Sequence, residues 1–66
     1  MNVLLFREIP EPDLAQLRAE FPLCSFRSTS QPTQMEAWLD WPEVVFGNAP
    51  AALLARAPRL RWVQIV

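Results

Sequence analysis

The stretch best suited to chemistry is "VVFGNAP", residues 44–50, where an apolar run opens into Gly47 and Asn48. A glycine at the end of a buried strand lets another backbone or a ligand approach closely. The Asn48 amide offers a donor and an acceptor at the same place. Together they make the most site-like element of the chain. They equally suit a tight turn and a helix cap, and the two uses are compatible. Arg7 follows the apolar run "NVLLF" and could attract a carboxylate or pair with Glu8 or Glu11. Trp38, Trp41 and Trp62 have the spacing of core or docking residues more than of a ligand cage. Trp41, just before Pro42, is the one expected at a rim, on the same side as Gly47 and Asn48. Cys24 reads as a small packing residue.

Several chemistries lack their residues. The loop after the first apolar run is "REIPEP", stiff and acidic, with none of the Ser, Thr or Gly that cradle phosphate. A phospho-acceptor pocket needs aspartates clustered where "NVLLF" and "EVVF" end, and those ends carry Arg7-Glu8 and Gly47-Asn48. One cysteine cannot form a C-x-x-C pair, and one glycine cannot form a dinucleotide fingerprint. With no histidine and one cysteine, a cysteine–histidine metal site is excluded.

The elements that must position these residues alternate in texture. "NVLLF", residues 2–6, reads as a buried strand. In "PEPDLAQLRAEFP", Leu14, Leu17 and Phe21 recur at helical spacing, opposite Gln16, Arg18 and Glu20. Pro12 suits the first turn, Glu11 and Asp13 suit the positive end of the helix dipole, and Pro22 ends the run. "LCSFRS" is a more polar strand and is expected at an edge. "TQMEAWLDW" places Met35, Trp38 and Leu39 on one face of a short helix closed by Pro42. "EVVFG" is a second buried strand. "NAPAALLARAP" follows as a helix with Asn48 as its expected cap and Leu53, Leu54 and Ala57 inward. "LRWVQIV", residues 60–66, is the fourth strand. The order β-α-β-α-β-α-β predicts an α/β fold with a parallel sheet covered on both faces and right-handed crossovers.

Sixty-six residues allow one domain, which buries only about 60% of its unfolded surface. A chain with one cysteine has no internal disulfide to help it, so a partner or more chain is expected to do so. An apolar content of 52% excludes a disordered segment. Six arginines against seven acids leave no basic stripe for nucleic acid. No apolar run approaches the roughly 18 residues of a membrane span, and no basic stretch precedes "NVLLF" as in a signal peptide. An unpaired cysteine fits a reducing cytoplasm.

At "VVFGNAPAALLARAPRLRWVQIV" the chain resembles the N-terminal part of the D-isomer-specific 2-hydroxyacid dehydrogenases, nearest the glyoxylate/hydroxypyruvate reductase-like branch. There a strand ending in a small residue leads to a short helix and an "APRLRWVQ"-like segment, residues 57–64 here. The resemblance implies a partial flavodoxin-like substrate domain, a doubly wound parallel sheet of order 2-1-3-4 truncated after its fourth strand, with the Rossmann domain that binds NAD or NADP outside this chain. It implies hydride transfer to a 2-keto acid, with the substrate-holding arginine and the acid/base histidine beyond position 66. No catalytic or cofactor-binding residue carries over. The positions that carry over are Gly47 and Asn48, at the substrate border, with Trp41 placed beside them. The fragment alone is expected to be inactive and to self-associate or dock through Leu60, Trp62, Val63, Ile65 and Val66. The alternative is a small non-enzymatic module that pairs through its last strand.

Overall fold

A computed structural model describes residues 1–65 of the chain; the part of the expected docking strand at Val66 lies outside the described residues. Seven elements alternate: β1 (Asn2–Leu5), α1 (Glu11–Glu20), β2 (Ser25–Ser28), α2 (Pro32–Ala37), β3 (Val44–Phe46), α3 (Ala51–Leu54) and β4 (Trp62–Gln64). All strand pairs are parallel and the sheet order is β2-β1-β3-β4. This is the expected α/β fold, a partial flavodoxin-like sheet.

The helices lie where the direction of travel puts them. The chain moves one way across the sheet from β1 to β2, then the other way to β3 and β4. With right-handed crossovers that reversal sends α1 to one face and α2 and α3 to the other. Two separate cores result. Val3, Leu5 and Val44 meet Leu14 of α1, with Ile9, Leu17, Cys24 and Phe26 packed around them. Leu4 and Val45 meet Met35 of α2 and Leu53 of α3, with Phe6, Trp38, Leu39, Trp41, Leu54 and Leu60 around them. Leu4, Met35 and Val45 have no exposed surface. Cys24 is thus the packing residue its sequence position suggests.

Local sequence sets the boundaries. α1 begins with Pro12 in its first turn beside Glu11 and Asp13, and Arg18 sits in its last turn. It stops at Glu20, so Phe21 serves as the C-cap and is half exposed, against the expectation that it completes the apolar face. Its ring meets Phe26 edge-on at 6.5 Å instead. α2 is shorter than "TQMEAWLDW" suggests: it ends at Ala37, and turns carry the chain through Trp38 and Trp41 to Pro42. α3 begins at Ala51 with Pro50 as its N-cap and no side-chain cap, so Asn48 does not cap it. Two residues separate Asn48 from the first helical turn, beyond the reach of a capping amide.

The two sheet edges differ. In a parallel ladder alternate residues bond to the same neighbour. Ser25 and Thr29 N–H groups donate to Met1 and Leu5, so the Phe26 backbone faces outward on β2. Its carbonyl accepts from Arg18 Nη2 at 3.4 Å, while Nη1 of the same arginine is held by Glu11 at 3.0 Å. On β4, the Trp62 N–H donates to Glu43 and the Gln64 carbonyl accepts from Gly47, so the Val63 backbone faces outward. Among the described residues nothing meets it.

Candidate functional site

In an open parallel sheet ligands bind at the carboxyl ends of the strands, where the order of travel reverses. Here that point lies between β1 and β3. Three backbone bonds tie it together: Phe6 N–H to the Phe46 carbonyl at 2.8 Å, Gly47 N–H to the Gln64 carbonyl at 2.9 Å, and Thr29 N–H to the Leu5 carbonyl at 3.1 Å. Gly47 is buried and has φ of 112°, a conformation that L side chains rarely adopt. A Cβ on it would stand 2.9 Å from the Phe6 carbonyl oxygen. The glycine therefore allows the loops after β1 and β3 to touch, backbone to backbone.

Asn48 follows as an exposed residue, and its amide makes no hydrogen bond among the described residues. With the capping role gone, both its donor and its acceptor are open to a ligand. Arg7 is exposed on the neighbouring loop, with no ion pair among the described residues; Glu11, its expected partner, holds Arg18 instead.

Trp41 does not join them. It precedes β3 rather than following it, so it lies at the amino end of the sheet. There its carbonyl accepts from Asn2 Nδ2 at 3.0 Å, and the Asn2 N–H donates to Glu43 at 2.9 Å. Its ring serves another purpose. The Arg27 guanidinium carbon stands 4.2 Å from the Trp41 ring centre and 5.1 Å from that of Trp38. Arg27 is the one arginine that is half-buried; the others are exposed. Stacking on aromatic faces suits a planar, weakly hydrated cation. The sequence carried half of this signal, Trp38 and Trp41 three residues apart, but not the edge-strand arginine that fills the gap.

Several depressions open on the surface. One of about 390 Å³ lies between the β1–α1 loop and α1, with Arg7 facing Glu8, Asp13 and Glu20. A second, of about 530 Å³, lies between that loop and the turn after β2, lined by Glu8 and residues 28–31. Thr29 shapes this turn: its hydroxyl accepts from the Gln31 N–H at 3.0 Å. Neither depression is lined by Gly47 or Asn48. The third, about 350 Å³, is a wholly apolar groove beside α1, lined by Leu5, Leu17, Phe21, Phe26 and Phe46 among others. Among the described residues no three His, Cys, Asp or Glu side chains gather to hold a metal. Among the described residues no helix is long and apolar enough to cross a membrane.

No protein-family profile, curated protein or solved structure matches this chain.

Proposed function

We propose that this chain is the N-terminal part of the substrate domain of a cytoplasmic NAD(P)-dependent dehydrogenase that reduces 2-keto acids such as glyoxylate or hydroxypyruvate. The observation that carries the reading is the reversal point itself. Gly47 presses the β3 loop onto the Phe6 carbonyl and leaves the Asn48 amide unengaged at the carboxyl end of a central strand. An amide there can donate to a keto-acid carboxylate while its oxygen orients a hydroxyl. The resemblance of residues 57–64 to the dehydrogenase family implies a 2-keto acid as substrate.

The described residues do not fit a nicotinamide cofactor. Gly47 is the only glycine in the chain, and the first turn of α1 carries Glu11 and Asp13, which repel a diphosphate. Cofactor, acid/base group and substrate-holding arginine belong to other polypeptide in this reading. What this chain supplies is one wall of the substrate site. The reading is tested on the coding sequence downstream of Val66. A glycine fingerprint and a later histidine near an acidic partner are expected; a continuation with neither would refute it.

A second reading, a small interaction module that pairs through its last strand, has its own observation. Trp62 is 58% and Ile65 67% exposed, beside the unmet backbone of β4.

A further inference from the structure

We propose that Arg27 guards the β2 edge, keeping other extended chains from pairing along it. The inference is independent of both readings of the function. β2 lies mid-chain between α1 and α2, and its one neighbour in the sheet is β1. The outward Phe26 carbonyl is capped by Arg18 of α1, itself held by Glu11. The Phe26 N–H and the backbone groups of Ser28 also face outward and have no partner among the described residues. A row of such groups is a template for another strand unless something blunts it. The bonding capacity is present, so whatever opposes its use has to be a side chain.

Arg27 is placed to do this. It shares the α2 side of the sheet with Leu4, its register partner on β1. Trp38 and Trp41 pack on that side, and the Trp41 carbonyl is tied to Asn2 of β1. The Arg27 guanidinium lies against both rings, 4.2 Å from the centre of Trp41 and 5.1 Å from that of Trp38. It enters neither ion pair found among the described residues, so its free face is solvated by water. A strand laid outside β2 would set a side chain beside Arg27, with Cβ atoms about 4.5–5.5 Å apart. The guanidinium would then be shut between that side chain and the two rings. A buried cation with no carboxylate beside it is strongly unfavourable. Inward-facing charge on an edge strand opposes pairing for this reason. The rings matter as much as the charge. Without them a flexible arginine would swing into solvent and clear the edge.

Amide hydrogen exchange from micromolar to millimolar concentration tests this on the 66-residue chain and on Arg27→Val, which keeps an apolar contact with the rings and favours a strand. In the parent the Phe26 and Ser28 amides are expected to exchange at one rate at every concentration, whatever happens at β4. In Arg27→Val they are expected to slow as concentration rises, about tenfold when one chain in ten remains unpaired. The Thr29 amide is bonded to Leu5 in both states and changes little. Arg27→Lys restores the charge and is expected to behave as the parent. If Arg27→Val fails to fold, Arg27→Gln, neutral but polar, takes its place, with slowing expected at higher concentration. A folded neutral variant whose Phe26 and Ser28 amides ignore concentration would overturn the proposal. So would a parent in which those amides slow. Equal slowing in Arg27→Lys and Arg27→Val would also overturn it, by assigning the effect to lost stacking and not to charge.

Discussion

Replacing Gly47 by alanine tests the joint on which the substrate wall depends. The backbone there has φ of 112°. Holding a non-glycine residue in such a region costs about 1–3 kcal/mol. The new methyl would stand 2.9 Å from the Phe6 carbonyl oxygen, a backbone atom just past the end of β1 in a residue whose N–H is held by Phe46. β1 and β3 must then part by a few tenths of an ångström, straining the 2.8 Å bond between Phe6 and Phe46. Alanine also removes freedom from the unfolded chain, which returns about 0.4–1 kcal/mol. The net loss is about 1–3 kcal/mol. A chain of this length has about 3–10 kcal/mol in total at the usual yield per residue, so the variant forfeits a large share. Urea unfolding followed by circular dichroism measures it, with an unchanged slope showing that the same surface is exposed. Asn48→Ala is the control, since its side chain makes no bond, and should stay within about 0.5 kcal/mol of the original. Gly47→Asn should give no rescue, because asparagine favours φ near about 57°. A Gly47→Ala variant as stable as the parent would refute this account of the joint.

Met35→Ala should cost about 2–5 kcal/mol in the same urea titration, because Met35 is fully buried between α2 and the central strands. A loss below about 1 kcal/mol would show that α2 is not anchored through it. Arg27→Gln should cost about 0.5–2 kcal/mol by removing the cation from the Trp38 and Trp41 rings, with Arg27→Lys falling between; equal stability of all three would mean that the stacking contributes nothing. The purified 66-residue chain should leave NADH unoxidised in the presence of glyoxylate or hydroxypyruvate, and measurable turnover would refute the division of labour proposed above.

The order of elements was legible because each apolar run is short and continuous while each helix repeats at three and four residues. The sheet order 2-1-3-4 was legible only through the family resemblance, since the α/β alternation fixes parallel pairing but not which strands are neighbours. Pro22 pushes Phe21 out of the α region, so α1 stops one residue before it, a local signal that the helical spacing of Leu14, Leu17 and Phe21 masks. What the sequence hid were effects between elements. The prolines of "NAPAALLARAP" mark a turn and a helix, but not that Ala49 and Pro50 carry Asn48 out of capping range. β4 is shorter than "LRWVQIV" because β3 offers only three residues to pair with. The Arg27 clamp joins two stretches whose meeting depends on α2 crossing behind the edge strand. The misplacement of Trp41 was avoidable: a residue before a strand lies at that strand's amino end.

The lone helix on the α1 face has a consequence for the order in which the molecule is sealed as it leaves the ribosome. A further parallel strand added outside β4 would be reached by a right-handed crossover, running over α2 and α3. It would widen the sheet and lengthen the apolar groove beside α1 without filling it. Only a helix returning later, or another chain, can cover Phe46 and Trp62, which are 40% and 58% exposed. During vectorial synthesis one side of this sheet is therefore finished early while the other stays wet.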